Sequence, residues 1–501
     1  MKPAAPPLTH SSILIPESDN ISPMKKLILV LLLGFPTYAI SDGLPDLGDI
    51  SQTVLNPIQE RQIGQQSMVQ IRAGKQYLDD PEINDYLNQI GGKLVEYCNE
   101  PSLEFEFFAV NDYNVNAFAM PGGFIGVNAG LLLITESESE LASVLAHEIA
   151  HVTQHHMARM VSAQQGDSIA SMAAIAIAIL AARSNAQASQ ATIAGVQARA
   201  MQKQLDFTRE HEQEADRIGF ETLQKAGFNT HAMPEFLQRM QRATRLIDGN
   251  APNYLRTHPV TSDRVADIEN RVNKQPYQLL PDSLDFQLVR TKLIGAQKTT
   301  SDAISYFTDA LTTHKHGNPI AQQYGLVTAL LRNQEIERAR VELAVLQKES
   351  KLNQTAQNDP MLETLTGKVK HAAKDSDTLS FYQTAVQRFP QYRALIYDYV
   401  DLLVQSNQAE IAVKLLTEQV SHHPTDTRLY DLQARCYNQL HKPFEQHQAQ
   451  AYSFAWQGNL RAAMQQLELA KRAGGDFYQL STIETDLREL REMLTAQVKN
   501  K

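Results

Sequence analysis

The element that most constrains this chain is His147-Glu148-Ile149-Ala150-His151, set inside the apolar run from Glu140 to Val152. Leu141, Val144, Leu145 and Val152 recur near the 3.6-residue period, with no Gly or Pro between them, which predicts a helix. Two histidines four apart then stand one turn above each other on one face. Their imidazoles can share one zinc ion, and Glu148, beside the first ligand, can act as general base toward a metal-activated water. A chance match on a solvated helix is the plainer reading. It sits badly with the flanks, because polar groups in so apolar a helix are buried, and burial without partners is costly. The chain must therefore bring further ligands to this helix from elsewhere.

Zinc held by two histidines needs a third protein ligand, and a carboxylate from a second helix is a common source. Residues 200–245 read as helical, interrupted at Gly227-Phe228-Asn229, and contain Arg209-Glu210-His211-Glu212-Gln213-Glu214-Ala215-Asp216. Glu212 lies far enough beyond His151 to sit on a separate helix that packs back. Asp216, one turn further on, shares its face and can accept the spare N–H of a ligand histidine. Spacing alone does not separate Glu210, Glu212 and Glu214, and such a cluster is ordinarily a solvated face. His258-Pro259 reads as extended and loop-borne. Its imidazole is a candidate extra ligand or oxyanion donor, against the plain reading of a surface histidine; Thr261-Ser262-Asp263-Arg264 follows it. His155, taken as another turn along the motif helix, and His156 and His211 read as non-ligands.

Upstream, Met24-Lys25-Lys26 followed by Leu27–Leu33 has the pattern of a signal peptide, with small residues at Thr37, Ala39 and Ser41 for cleavage. The apolar core is too short to span a bilayer comfortably. Translation is expected to start at Met24, with residues 1–41 forming an extension and leader. A helix is expected over Ile58–Gly74. Asp80-Pro81 starts another, whose apolar stripe is Ile83, Tyr86, Leu87, Ile90 and Leu94. Leu103–Phe107 alternates and reads as a strand. Two short strands around Pro121-Gly122-Gly123 account for Asn114–Val127. Asn116, Ala117, Phe118, Ala119 and Met120 form the candidate open edge, able to hold an extended peptide through main-chain hydrogen bonds; an ordinary hairpin is the alternative. Ile169–Ala182 is too short for a transmembrane helix. It reads as a buried or lid helix, with a peripheral membrane contact as the alternative.

At 501 residues with 43% hydrophobic and 20% charged side chains, the chain can build two or three cored domains. A net charge of -10 argues against nucleic acid as a partner. Cys98 and Cys436 read as separate thiols, although export would permit a long-range disulfide. Beyond a linker over 276–300, the sequence becomes polar and helical. Phe389-Pro390 and His423-Pro424 are 34 residues apart, the tetratricopeptide period. Leu330–Ala339, Leu403–Ala412 and Ala455–Ala463 each read as helix, polar turn, helix with alanines. Stacked helix pairs bury faces that none could bury alone and leave a surface for protein partners; a plain helical bundle is the alternative.

His147–His151, Asn116–Gly123, Glu212–Asp216 and His258-Pro259 occur in the order seen in gluzincin-type zinc peptidases related to HtpX and the CAAX prenyl proteases. The leader and the downstream repeats resemble the periplasmic BepA subgroup, and the resemblance covers nearly the whole chain after the leader. It implies a mainly α protein: a zincin-type α+β metalloprotease domain over 42–275, then an α-solenoid of tetratricopeptide-like repeats over 301–496. It implies one Zn2+ per chain held by His147, His151 and Glu212, with Asp216 supporting a ligand histidine and Glu148 as base. His258 is implied to cap the zinc at rest and swing away on activation, and Arg264 matches a basic position near the site, where it and His258 could help polarise the scissile carbonyl. The expected activity is that of a periplasmic metalloendopeptidase and chaperone, expected as a monomer with a peripheral contact to the outer membrane, acting on stalled outer-membrane β-barrel proteins and docking through its repeats on the barrel-assembly machinery. The alternative of a different class is a non-proteolytic chaperone or scaffold with a structural zinc. Glu148 argues against it, since a structural site needs no base beside its ligand.

Overall fold

The computed structural model describes residues 56–74, 76–163, 196–246, 253–276, 278–313, 317–353 and 356–499. The leader and Ile169–Ala182 lie outside them. Helix α1, Pro57–Ala73, starts at a capping box between Asn56 and Gln59. Helix α2, Pro81–Val95, is capped by Asp80 and buries the expected stripe of Ile83, Tyr86, Leu87, Ile90 and Leu94.

The sheet has three strands: β1, Glu106–Val110; β2, Ala117–Met120; and β3, Phe124–Asn128. Their order is β1-β3-β2, with β1 parallel and β2 antiparallel to β3. The first strand starts later than the alternating segment Leu103–Phe107, because Phe107, Phe108, Ala109 and Val110 are all buried and show no alternation. Its outer edge is closed by two asparagines of α2. Ala109 N–H donates to Asn84 Oδ1 at 2.8 Å, and the Asn88 amide both accepts from Phe107 N–H at 3.0 Å and donates to its carbonyl at 2.7 Å. The other edge differs. Asn128 N–H donates to the Asn116 carbonyl at 3.0 Å. That register bonds Phe118 and Met120 to β3 and turns the peptide groups of Ala117 and Ala119 outward. Gly122 and Gly123, with φ of 74° and 83°, make the turn between β2 and β3, a conformation that side chains with a Cβ rarely adopt.

Helix α3, Ala129–Ile134, leads into α4, Glu138–Thr153, which carries the histidine motif. Ser137 caps it, accepting from Glu140 N–H. Only Glu138, His151 and Val152 of α4 escape full burial, because β2, α2 and the later helices surround it. After α4 come α5, His156–Ala163; α6, Val196–Lys225; α7, Ala232–Leu246; α8, Asn253–Thr257; and α9, Ser262–Val272. Helix α6 lies directly on α4. A Cβ at Gly219 would come within 3.0 Å of His147 N and 3.1 Å of the Ala146 carbonyl, so the absence of a side chain there permits the close approach.

Within the span expected as a linker, Leu284–Ala296 is a helix whose Phe286, Leu288, Val289 and Leu293 are buried in the same core as α2 and α4. The helix packs on α2 and α3 on one side and on the helix Pro319–Arg332 on the other. Helix pairs then follow, among them Pro319–Arg332 with Ile336–Leu352, Arg393–Gln405 with Ala409–His422, and Thr427–Gln439 with Pro443–Trp456. The turns at Gln334, Asn407, His441 and Gly458 each contain a residue with positive φ, the left-handed conformation that ends many helices. Ala412 is fully buried, as the repeat reading requires of a small residue. Arg393 Nε reaches Asp85 of α2 at 3.1 Å, and Lys292 Nζ reaches Asp80 at 2.8 Å, so α2 joins the two halves. Both cysteines are free and buried, in separate hydrophobic clusters. Among the described residues, no helix is long and apolar enough to cross a membrane.

Replacing Gly219 with Val should wedge α6 from α4. An overpacked contact of this kind costs about 1–3 kcal/mol, which denaturant unfolding of the full chain will read as a lowered midpoint with an unchanged slope.

Candidate metal centre

Three segments far apart in sequence meet at one point beside α4. The ring nitrogens of His147, His151 and His258 and the carboxylate of Glu212 offer atoms that all lie within 4.8 Å of one another. His147 Nε2 is 3.0 Å from His151 Nε2, 3.3 Å from Glu212 Oε2 and 3.3 Å from His258 Nδ1. Glu212 Oε1 is 3.4 Å from His151 Nε2 and 3.0 Å from His258 Nδ1. A tetrahedral zinc site with bonds of about 2.0–2.1 Å has ligand atoms about 3.3 Å apart. The donor spacing therefore fits one small tetrahedral ion.

The charge balance points the same way. Glu148, Glu212 and Asp216 are 1%, 3% and 2% exposed, and Arg264 is the basic side chain buried with them, at 2%. With the imidazoles neutral, as metal ligation requires, three formal negative charges against one positive leave room for a divalent cation in a dry pocket, where unpaired charge is expensive.

The structure separates the acidic cluster that spacing could not. On α6, Glu212 turns inward, Glu210 is exposed, and Glu214 turns aside to His156 and Arg159. Asp216 Oδ1 stands 3.0 Å from His147 Nδ1, so the Nε2 of that ring faces the other donors. Arg264 grips Asp216 with Nε and one terminal nitrogen at 2.6 and 2.7 Å. Its other terminal nitrogen reaches Glu212 Oε2 at 2.8 Å and the Pro259 carbonyl at 2.7 Å. Every nitrogen of the guanidinium is thus committed behind the donors. This corrects the expectation that Arg264 helps polarise a carbonyl: the side chain holds the two carboxylates.

These contacts set the protonation of the site. Burial works against a charge on His147, but the hydrogen bonds to Asp216 and Glu212 outweigh it and lift its pKa to about 10. Burial pushes the pKa of His151 down, against the pull of Glu212. Burial also opposes ionisation of Glu212 and Asp216. The histidines, His258 foremost, hold Glu212 well below the usual carboxylate range, and Arg264 does the same for Asp216 less strongly.

Glu148 completes the centre. Its Oε2 accepts from Ala119 N–H at 2.9 Å, the outward-facing peptide of the open strand, and its Oε1 is 3.4 Å from His258 Nε2. His258 therefore stands between Glu148 and the other donors. It follows α8 and stacks on Tyr254, with ring centroids 4.9 Å apart, while Tyr254 N–H donates to the Val115 carbonyl at 3.0 Å. Tyr254 was not singled out in sequence, although its position four before His258 was a readable signal for side chains on one face. His155 is not on the motif helix. Helix α4 ends at Thr153, and His155 has φ of 49°.

The Peptidase family M48 profile matches residues 81–272, and a tetratricopeptide repeat profile matches residues 376–436. The beta-barrel assembly-enhancing protease of Yersinia pestis is 32% identical over 424 residues, covering 84% of this chain and 86% of that protein. The protein of the same name from Escherichia coli (strain K12) is 30% identical over 439 residues, covering 87% and 88%. The mitochondrial metalloendopeptidase OMA1 of Schizosaccharomyces pombe is 30% identical over 184 residues, 37% of this chain and 51% of that protein.

Removing the cation that holds Asp216 and Glu212 should be severe. Arg264→Met is expected to lower stability by about 3–5 kcal/mol, the usual result of leaving buried charges unpaired, measured by denaturant unfolding of the metal-free chain.

Proposed function

Since this chain belongs to the beta-barrel assembly-enhancing group of Peptidase family M48, and is thus a metalloprotease with tetratricopeptide repeats, we propose that it is a zinc-dependent endopeptidase. Its proposed substrates are outer-membrane β-barrel proteins that stall during assembly. The observation that carries this reading is Glu148, a buried carboxylate set against both the four-donor cluster and an open strand edge. In this reading His147, His151 and Glu212 hold the ion. When bound, zinc supplies Lewis acidity, which makes water a competent nucleophile near neutral pH.

The chain's own residues do the rest. Asp216 keeps His147 turned to the donor cluster, and Arg264 keeps Asp216 and Glu212 in place. Glu148 accepts the proton of the attacking water and passes it to the leaving amine. An extended substrate adds to the free edge of β2, using the outward peptide groups of Ala117 and Ala119. Because Ala119 N–H is bonded to Glu148 here, substrate pairing and release of the base are coupled. His258 acts as a resting cap: its Nδ1 occupies the fourth donor position and its Nε2 faces Glu148, so it must withdraw before water and substrate can share the site.

The wider setting is proposed on the same basis. The likeness to beta-barrel assembly-enhancing proteases supports action in the periplasm, with the repeats docking on the barrel-assembly machinery. The reading as a non-proteolytic scaffold with structural zinc is disfavoured by Glu148 and by the kinship with named proteases.

Glu148→Gln should retain zinc and fold while cleavage of an unfolded barrel protein falls about 100- to 10,000-fold, the range for loss of a general acid–base; a variant that still cleaves at the wild-type rate would falsify the assignment. His258→Ala should raise basal cleavage with zinc still bound. Loss of cleavage in that variant, at full zinc occupancy, would instead make His258 a catalytic donor.

A further inference from the structure

The two histidines of the motif are supported differently. His147 has a carboxylate behind it, Asp216. His151 has a second imidazole: its Nδ1 lies 2.8 Å from Nδ1 of His156. His156 is 3% exposed, and its Nε2 lies 3.1 Å from Glu214 Oε2. Arg159, from the same short helix α5, donates to that oxygen at 2.8 Å.

The hydrogens in this chain of contacts can be assigned from donor and acceptor rules. A carboxylate only accepts, so Nε2 of His156 carries the hydrogen toward Glu214. In a neutral imidazole the other nitrogen is then a bare acceptor. Two nitrogens 2.8 Å apart share one hydrogen, so that hydrogen belongs to Nδ1 of His151. Its Nε2 is left with a free lone pair, and Nε2 is the atom that faces His147 and Glu212.

The backbone is arranged for this. In an unbroken helix, residues five apart point about 140° from each other, and His156 could not face His151. The left-handed residue His155, φ 49°, ends one helix and starts the next at His156. His211, the neighbour of Glu212 in sequence, stacks flat on His156 with centroids 4.1 Å apart and planes 9° apart. Helix α6 thereby fixes the plane of the relay as well as supplying the third ligand.

We propose that His156 and Glu214 are positioning residues, a Glu214–His156–His151 relay that selects the metal-binding tautomer of His151 and aims its ring. The inference rests on the zinc-site reading above and adds a support that makes no contact with the ion or the substrate.

The test measures Zn2+ affinity of the full chain by competition with a chromophoric chelator, alongside thermal unfolding of the metal-free protein. His156→Phe keeps the ring and its stack but removes the acceptor, and should raise the Kd for Zn2+ about 10- to 100-fold. His156→Asn places its Oδ1 near the lost nitrogen and should recover most of that affinity. Glu214→Leu, at a partly exposed position, should weaken binding in the same direction by less. The relay is overturned if His156→Phe binds Zn2+ as the wild type does, or if His156→Asn is as weak as His156→Phe. Should His156→Phe fail to fold, Glu214→Leu decides, and an unchanged Kd refutes the relay. A wild-type chain that binds no Zn2+ would overturn the metal-site reading itself.

Discussion

The structure depends on how three carboxylates can be buried against one helix. Glu148, Glu212 and Asp216 all lie in the dry space beside α4, with Arg264 as their buried counter-charge. Apolar packing alone gives no reason for such a concentration, and each unpaired charge there would cost several kcal/mol. The arrangement becomes reasonable once His147, His151 and a divalent ion are included. The side chains that look structural, Asp216 and Arg264, are then the ones that keep the donors converged. Gly219 belongs to the same arrangement, because only close contact between α4 and α6 lets Glu212 reach both histidines.

The remaining imidazole is carried by a shorter element. Glu212, Asp216, His147 and His151 sit on long helices. His258 follows the five-residue helix α8, anchored by the Tyr254 stack and by the bond from Tyr254 N–H to the Val115 carbonyl. Val115 leads directly into the open strand. The His258 imidazole is therefore tied to the strand edge proposed to take substrate, and a change at that edge has a short covalent and hydrogen-bonded route to it. The two edges of the sheet are treated in opposite ways, which fits this division. Asn84 and Asn88 seal the β1 edge with amide groups, whereas the β2 edge keeps outward peptide groups beside Glu148. An edge strand with outward peptide groups invites strand addition, and proteins usually protect those they do not use.

The repeats are joined to this domain through α2. That helix packs on α4 from one side and receives Arg393 and Lys292 from the other. The helix Leu284–Ala296, buried in a core that continues from α2 and α4 into Pro319–Arg332, makes the passage between halves a packed element. A cleft of about 1280 Å³ opens there, with Arg72, Tyr77 and Glu106 on one wall and Arg393, Thr425 and Arg428 on the other.

Much of this was legible in the sequence because it is local. A helical period with two histidines one turn apart sets two imidazoles on one face with a carboxylate beside them, and the glycines after Pro121 fix a turn. Paired helices around polar turns give the repeats. Other features depended on three-dimensional packing. Nothing in the spacing of Glu210, Glu212 and Glu214 separates them; the rotation of α6 against α4 does, turning the first outward, the second to the histidines and the third to His156. The alternating pattern at Leu103–Phe107 misplaced a strand that burial on both faces had deprived of alternation. Arg264 looked like a donor for substrate and proved to be spent on carboxylates, and His155 looked helical where the chain reverses its φ. The sequence alone determined which chemistry the chain carries, since ligand type and helical spacing are properties of short segments. Only the tertiary structure decided which acid, which imidazole and which strand edge converge on the motif helix, because those choices rest on distances between segments that the chain order does not encode.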